Sequence, residues 1–477
     1  MVETRRGFLQ MTAGAVGALA AGGAWAQSGR RRPNVVLIVA DDLGAMDTEP
    51  YGADLHETPN LRRLAGEGVR FTEAHSASPV CSPTRASIQT GKHPARLHVT
   101  IWHEAAKNPP KNRKMVPPVV EDHVPHGEVT LGEMLKERGY LTAHVGKWHL
   151  GMASHYPESQ GYDTNVGGTF WGAPQTFFHP YKGNQRFGGE YRYVPGLGVG
   201  KEGDYLTDKL TDAALRVIDE AGGRPFFLNL CYHTPHTPIE GKKELVERYR
   251  AKLKPGMHHQ NATYAAMIHS LDENVGRVLD KLKEKGLERD TIVIFTSDNG
   301  GYIGRFNGEQ VTNNAPLRSG KGSAYQGGVR IPLLVRAPGV TKAGTVCGEP
   351  VTTMDFFPTI AALTGAADHG EHDGVSLVPL LRDAGAKLGR ERLFFHYPHY
   401  YETTSPVSAV REREWKLLEY FEDGHVELYN LERDPGETRE VSAENAAVAE
   451  RLRRALEEWR RAVGAQMPVA NAGYTGK

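Results

Sequence analysis

Short apolar runs alternate along this chain with longer charged, amphipathic stretches, the pattern of buried strands feeding helices. Residues 35–40 are wholly apolar and stop at Asp41-Asp42. Residues 226–230 lead through Cys231 and Tyr232 to His233-Thr234-Pro235-His236, and 291–297 end at Asp298-Asn299-Gly300-Gly301. A shorter run, 143–145, reaches Lys147-Trp148-His149-Leu150-Gly151. Near-continuous apolar runs mark strands covered on both faces. The pattern therefore predicts an α/β fold with a mostly parallel central sheet sandwiched by helices. Each run delivers ionisable groups just beyond its carboxyl end, the edge where open α/β sheets bind ligands.

The pattern changes after Leu381. Residues 393–398, 409–421 and 425–431 read as strands, the last two joined by the hairpin signal Glu422-Asp423-Gly424. Asp434-Pro435-Gly436-Glu437 is a turn, and 443–463 carries Val448, Leu452, Leu456, Trp459 and Val463 at helical spacing. The expected organisation is a main domain over 33–385, a small C-terminal α+β subdomain with an antiparallel sheet over 386–466, and a frayed tail over 467–477. Residues 98–129 and 167–200 lack periodicity and read as long loops over the sheet edge. Phe170, Trp171, Phe177, Phe178, Tyr181, Tyr191 and Tyr193 in the second loop offer stacking faces for sugar rings, or pin the loop to the core. His396, His399 and Tyr400 are further candidates to reach a substrate, with packing as the alternative.

At the amino end, Thr4-Arg5-Arg6-Gly7-Phe8-Leu9 precedes a Gly/Ala run and Ala24-Trp25-Ala26, the form of a twin-arginine export signal cleaved after Ala26 (residues 1–26). The run is too short and glycine-rich to span a bilayer, which argues against stable membrane insertion. The expected location is the bacterial periplasm or the medium, reached through the twin-arginine export machinery.

Charge adds mainly exclusions. The 477 residues carry 57 basic and 57 acidic side chains; without Glu3, Arg5 and Arg6 the balance is 55 to 56. Such a chain has no electrostatic footprint for nucleic acid or an acidic membrane. Three cysteines, Cys81, Cys231 and Cys347, cannot make a disulfide framework, and Cys81 is assigned as the one left over in any pairing.

Cys81 opens the segment Cys81-Ser82-Pro83-Thr84-Arg85. Pro83 suits the first position of a helix that Gly91 would stop. Cys81 would then lie where free N–H groups favour an anion, with Arg85 one turn on. Asp41, Asp42, Asp298 and Asn299 are hard oxygen donors, suited to Ca²⁺ or Mg²⁺ rather than Zn²⁺; several protein oxygens in one cage favour Ca²⁺. Three gathered carboxylates without a cation would repel. Lys147, His149, His236 and Lys321 supply the opposite charge, both lysines beside glycines that let the backbone approach a ligand.

The pentapeptide resembles the C-x-P-x-R signature of the type I sulfatases. Asp41-Asp42, Gly146-Lys147-Trp148-His149-Leu150-Gly151, Pro235-His236-Thr237-Pro238, Ser297-Asp298-Asn299-Gly300, Gly320-Lys321-Gly322 and the segment from Gly327 to Pro332 match that family in order, over roughly 33–381 plus the tail. The resemblance implies the alkaline-phosphatase-like fold and a nucleophile made by oxidising Cys81 to formylglycine (3-oxoalanine), which requires a formylglycine-generating enzyme. It implies a metal, usually calcium, held by Asp41, Asp42, Asp298 and Asn299 with the modified Cys81. Arg85 would hold the nucleophile's hydroxyl, Lys147 and Lys321 the sulfate oxygens. His236, with Lys321, would serve the leaving alkoxide, His233 being the alternative. His149 would take a proton from the hydrate as sulfate is expelled. One hydroxyl of the hydrate attacks sulfur; the second lets the C–O bond break and regenerates the aldehyde.

The substrate class implied is a sulfated saccharide of galactose or N-acetylgalactosamine type. The alternatives are phosphonate or phosphate ester hydrolysis in the same superfamily, and sulfated-glycan binding without turnover if Cys81 stays unmodified.

Overall fold

The computed structural model describes residues 32–476; the export signal expected at 1–26 lies outside them. Eight strands form the central sheet: β1 (Asn34–Ala40), β2 (Val69–Phe71), β3 (Leu141–Gly146), β4 (Thr164–Val166), β5 (Phe226–Cys231), β6 (Thr291–Ser297), β7 (Leu333–Arg336) and β8 (Thr345–Cys347). Their order is β8-β2-β7-β6-β1-β5-β3-β4. The run β6-β1-β5-β3-β4 is parallel throughout, while β7 is antiparallel to both neighbours.

Every residue of β1 is buried, because both faces are covered. Val35, Leu37 and Val39 join one core with Ala86 and Ile88 of the helix Cys81–Thr90 and Ile360 of the helix Phe356–Thr364. Val36, Ile38 and Ala40 join the other, with the helices Leu206–Glu220 and Ala262–Glu284. Truncating one of these side chains, Ile38 for example, costs about 2–5 kcal/mol. The burial fixes β1 and so fixes where Asp41 and Asp42 emerge.

A second sheet, β9 (Arg392–Tyr397), β10 (Val407–Glu412), β11 (Trp415–Tyr420) and β12 (Val426–Asn430), is antiparallel in chain order. Leu452 and Leu456 of the helix Ala446–Ala462 cover one face against Val410, Leu417 and Leu428. Phe395, Ala409 and Leu418 on the other face pack on Val80, Ala324 and Val329. This sheet therefore backs the segment that leads into Cys81.

Two expectations fail here. Residues 409–421 are not one strand but a hairpin that turns at Arg413, in the left-handed region at φ 53°. The turn contains no Gly, Asn or Pro, so nothing marked it in the sequence. The tail is also not frayed from Met467: Val469 and Ala470 pair with Val116 and Met115, and the Asn471 amide donates to the Lys114 carbonyl. That pairing partner lies far away in the chain, beyond the reach of local pattern. All three cysteines are free and buried. Among the described residues, no helix is long and apolar enough to cross a membrane.

Candidate active site

The strands β6, β1, β5 and β3 are adjacent, and past their carboxyl ends stand Asp298-Asn299, Asp41-Asp42, His233 with His236, and Lys147 with His149. The chain turns sharply there. Asp42 and His149 adopt left-handed φ values of 62° and 61°, and Gly146 one of 102°. A Cβ on residue 146 would lie 1.9 Å from the Cys231 carbonyl oxygen, so only glycine lets the Lys147 loop leave beside β5.

The helix that carries Cys81 begins at Cys81 itself, after Val80 in extended conformation, and ends at Gly91 with φ 70°. Pro83 is thus the third helical residue rather than the first. Its missing N–H still costs nothing, since the first four N–H groups of a helix have no intrahelical partner.

Three cations and three carboxylates interlock around Cys81, all buried. The Arg85 guanidinium reaches Asp298 through Nε at 2.9 Å and Nη2 at 2.8 Å, and donates to the Lys147 carbonyl at 2.9 Å. Lys147 Nζ lies 2.9 Å from both oxygens of Asp41, and Lys321 Nζ 2.8 Å from Asp42 Oδ2. Asn299 Nδ2 donates to Asp42 Oδ1 at 2.8 Å. Cys81 Sγ stands 3.9 Å from that same oxygen. Burial, reinforced by Asp298 and Asp42 and opposed by Lys147, pushes Asp41 up to about 8. Asp42 moves the other way: Lys321 and His236 overcome the effect of burial and hold it below the usual carboxylate range.

Burial pushes the Cys81 thiol up to about 12, against the pull of Lys147 and Lys321. A neutral thiol is a poor nucleophile, so the unmodified side chain is ill suited to attack.

His236 Nδ1 donates to the Thr237 carbonyl at 2.7 Å, leaving Nε2 to accept from Lys321 Nζ at 3.2 Å. Burial and Lys321 lower its pKa to about 3, so the ring is neutral. His233, the alternative, is buried with Nδ1 unpartnered and does not line the cavity. His149 directs Nε2 at Glu104 Oε2, 3.1 Å away, and keeps a buried, unpartnered Nδ1. Burial lowers it to about 4 despite Glu104. Gly172 lies against the ring, where a Cβ would come within 2.4 Å of Cε1.

A cavity of about 380 Å³ opens above this floor, and Cys81, Asp42, His149, His236 and Lys321 line its base. Asp41, Asp42, Cys81 and His236 place ligand atoms within 4.8 Å of one another. Asn299 Oδ1 is a buried acceptor without a hydrogen-bond partner. Buried carboxylates and an orphaned amide oxygen are a donor set that fits a hard divalent cation.

The rim holds what sequence reasoning missed: Trp102, Glu104, Phe187, Arg192, Tyr302 and Tyr401. Arg192 is held by Glu190 at 2.8 Å and Glu104 at 3.4 Å, its guanidinium over the Trp171 and Phe187 rings. Of the loop aromatics left open between meeting sugar and pinning the loop, Phe177 and Tyr181 are core residues, and the Phe170 and Trp171 rings meet at a tilt with centroids 3.9 Å apart. His396 bonds Ser408 and the Gln466 carbonyl, His399 bonds Thr100, and Tyr400 bonds Glu422, so these three serve packing. Tyr401, one residue on, is the one that reaches the cavity.

The family model "Sulfatase" matches residues 33–366, and "N-sulphoglucosamine sulphohydrolase, C-terminal" matches 320–462. A sulfatase of Formosa agariphila is 33% identical over 87% of this chain and 85% of its own. Human N-acetylgalactosamine-6-sulfatase is 30% identical, over 88% and 84%. The crystal structure of Ps i-CgsB with k-i-k-neocarrahexaose superposes with a TM-score of 0.76 at 30% identity, covering 90% of this chain and 93% of that one.

Proposed function

The chain belongs to the sulfatase family of sulfuric ester hydrolases, and we propose that it removes sulfate from a saccharide of galactose or N-acetylgalactosamine type, using Cys81 as formylglycine and a bound Ca²⁺. The observation that carries this reading is the convergence of Arg85, Lys147, Lys321 and His236 with Asp41, Asp42, Asp298 and the unpaired Asn299 Oδ1 around Cys81. The sugar class is supported by the human relative's name, by the oligosaccharide in the neighbouring structure, and by Trp102, Phe187, Tyr302 and Tyr401 on the rim.

Asp41, Asp42, Asp298 and Asn299 Oδ1 would hold the cation, which supplies Lewis-acid polarisation of the nucleophile and of a sulfate oxygen. A hydrated formylglycine supplies two geminal hydroxyls, one to displace the alcohol at sulfur and one to let sulfate go. The chain's own groups do the rest. Lys147 and Lys321 are the ammonium donors that would meet the sulfate oxygens and stabilise charge as it develops. Arg85, locked by Asp298, stays beside residue 81 as a fixed positive group. Lys321 donates to the neutral Nε2 of His236, so this pair carries a mobile proton to the leaving alkoxide. His149 offers the free Nδ1 lone pair as base, its Nε2–H anchored on Glu104. Twin-arginine export after modification in the cytoplasm would deliver the enzyme to the periplasm or the medium.

The test is sulfate release from galactose and N-acetylgalactosamine sulfates by protein made beside a formylglycine-generating enzyme. The proposal expects turnover that EDTA removes and Ca²⁺ restores. Faster cleavage of an aryl phosphonate than of any sulfate ester would overturn it.

A further inference from the structure

Five residues past Asp42, on the same loop, Asp47 faces His56 and His259 in a second cluster outside the cavity. His56 precedes the helix Pro59–Glu67, and His259 lies just before the helix Ala262–Glu284. All three side chains are buried, His259 to 3% exposure.

The hydrogen bonds fix one nitrogen of His259. Asp54 Oδ1 accepts from its Nδ1 at 2.7 Å and from its backbone N–H at 3.2 Å, so the ring proton sits on Nδ1. Nε2 has no hydrogen-bond partner and lies 3.3 Å from Asp47 Oδ1; Asp47 and Asp54 raise the pKa of this ring against the effect of burial, so the pocket favours a positive centre, a proton or a metal ion, between the two atoms. A lone pair facing a carboxylate oxygen repels, and a positive centre between them removes the conflict.

A metal ion does so while also using His56. The His56 ring centroid is 4.3 Å from that of His259, and its Nδ1–H donates to the Asp47 carbonyl at 2.8 Å, which leaves Nε2 as the lone-pair atom able to ligate. One ligand atom from each of the three residues lies within 4.8 Å of the others. The 3.3 Å between His259 Nε2 and Asp47 Oδ1 suits an ion bound at about 2.0–2.2 Å to both. The supporting contacts also fit. Asp54 on His259 Nδ1 is the carboxylate–histidine arrangement that orients a ligating imidazole. Asp47 is oriented by the Gly44 amide at 2.7 Å, the Tyr264 hydroxyl at 2.8 Å and the Thr312 hydroxyl at 2.5 Å.

We propose that Asp47, His56 and His259 form a second metal site, taking Zn²⁺. Two imidazoles and one carboxylate are zinc donors, unlike the all-oxygen set around Asp41. The Tyr264 hydroxyl bonds both Asp47 Oδ2 and, at 3.2 Å, the Asp42 carbonyl. Zinc here braces the loop that carries Asp42, a positioning role distinct from the chemistry at Cys81.

The test uses the full mature protein, saturated with Ca²⁺, exposed to Zn²⁺ and washed with a weak chelator. Elemental analysis should find one zinc per chain, and anomalous scattering at the zinc edge should place it between Asp47, His56 and His259. His259→Gln and His56→Gln should each weaken zinc binding by at least about 100-fold, and Asp54→Asn by roughly 10–100-fold. The wild-type anomalous map decides the question even if a variant fails to fold. Zinc found only at Asp41-Asp42, no retained zinc in the wild type, or full retention in folded His259→Gln would overturn the proposal and leave a proton bridging His259 and Asp47.

Discussion

The floor and the rim of the cavity are built by opposite means. The floor takes most of its groups from the ends of four adjacent buried strands and one helix start, with Lys321 from a glycine-flanked loop, and each charge there is matched: Arg85 with Asp298, Lys147 with Asp41, Lys321 with Asp42. The rim takes Trp102 and Glu104 from the start of the short helix His103–Lys107, Phe187 and Arg192 from the irregular segment 167–200, and Tyr401 from the C-terminal subdomain. A rigid, charge-matched floor suits a step common to every sulfate ester. A rim drawn from separate segments can change without disturbing that step, so it suits discrimination among alcohols.

The sharpest way to break this comparison is at the floor. Cys81→Ala should lower kcat by at least about 10³-fold on every sulfate ester while far-UV circular dichroism stays native. Retained turnover would remove the distinction altogether. Lys321→Ala comes next: loss of a donor aimed at developing charge should cost about 10²–10³ in kcat, equally for an aryl sulfate and a sugar sulfate.

A rim substitution should behave differently. Tyr401→Ala should raise KM for the sugar sulfate by roughly 10-fold, the scale of one lost contact of 1–3 kcal/mol, and leave kcat on a small aryl sulfate nearly unchanged. An equal loss on both substrates would place Tyr401 with the floor.

The smallest effect is one of stability away from both. Burial lowers His144, His396 and His399 to about 3. Between that value and the unfolded value near 6.5 the unfolded chain binds more protons, so stability rises with pH across the window and is lost as pH falls through it. Each histidine forfeits about 2 kcal/mol by pH 5. Thermal melts from pH 7 to 5 should show Tm falling, with a shallower slope in His396→Gln.

The same contrast explains what the sequence disclosed. Asp41-Asp42, Lys147, His236 and Asp298 were legible because each follows a buried apolar run, and strand ends of a parallel sheet share one edge. The mostly parallel sheet itself followed from runs such as 35–40. Glu104 and Tyr401 carried no such mark: they reach the cavity through loop paths and subdomain docking, which local periodicity does not encode. The aromatic loop stayed undecided between sugar and core for a related reason. Phe177 and Tyr181 look like any exposed aromatic in sequence, yet the helix Leu206–Glu220 gives them a core to enter. The hairpin at Arg413 hid because ordinary residues can take a left-handed turn position when flanking strands are buried on both sides.

The central claim is that residue 81 works as an aldehyde hydrate rather than a thiol. The direct measurement is the mass of the tryptic peptide ending at Arg85, from protein produced beside a formylglycine-generating enzyme. A peptide that has lost sulfur and two hydrogens and gained one oxygen, and that reacts with a hydrazide, is the predicted result. An intact thiol in protein that still hydrolyses sulfate esters would contradict it.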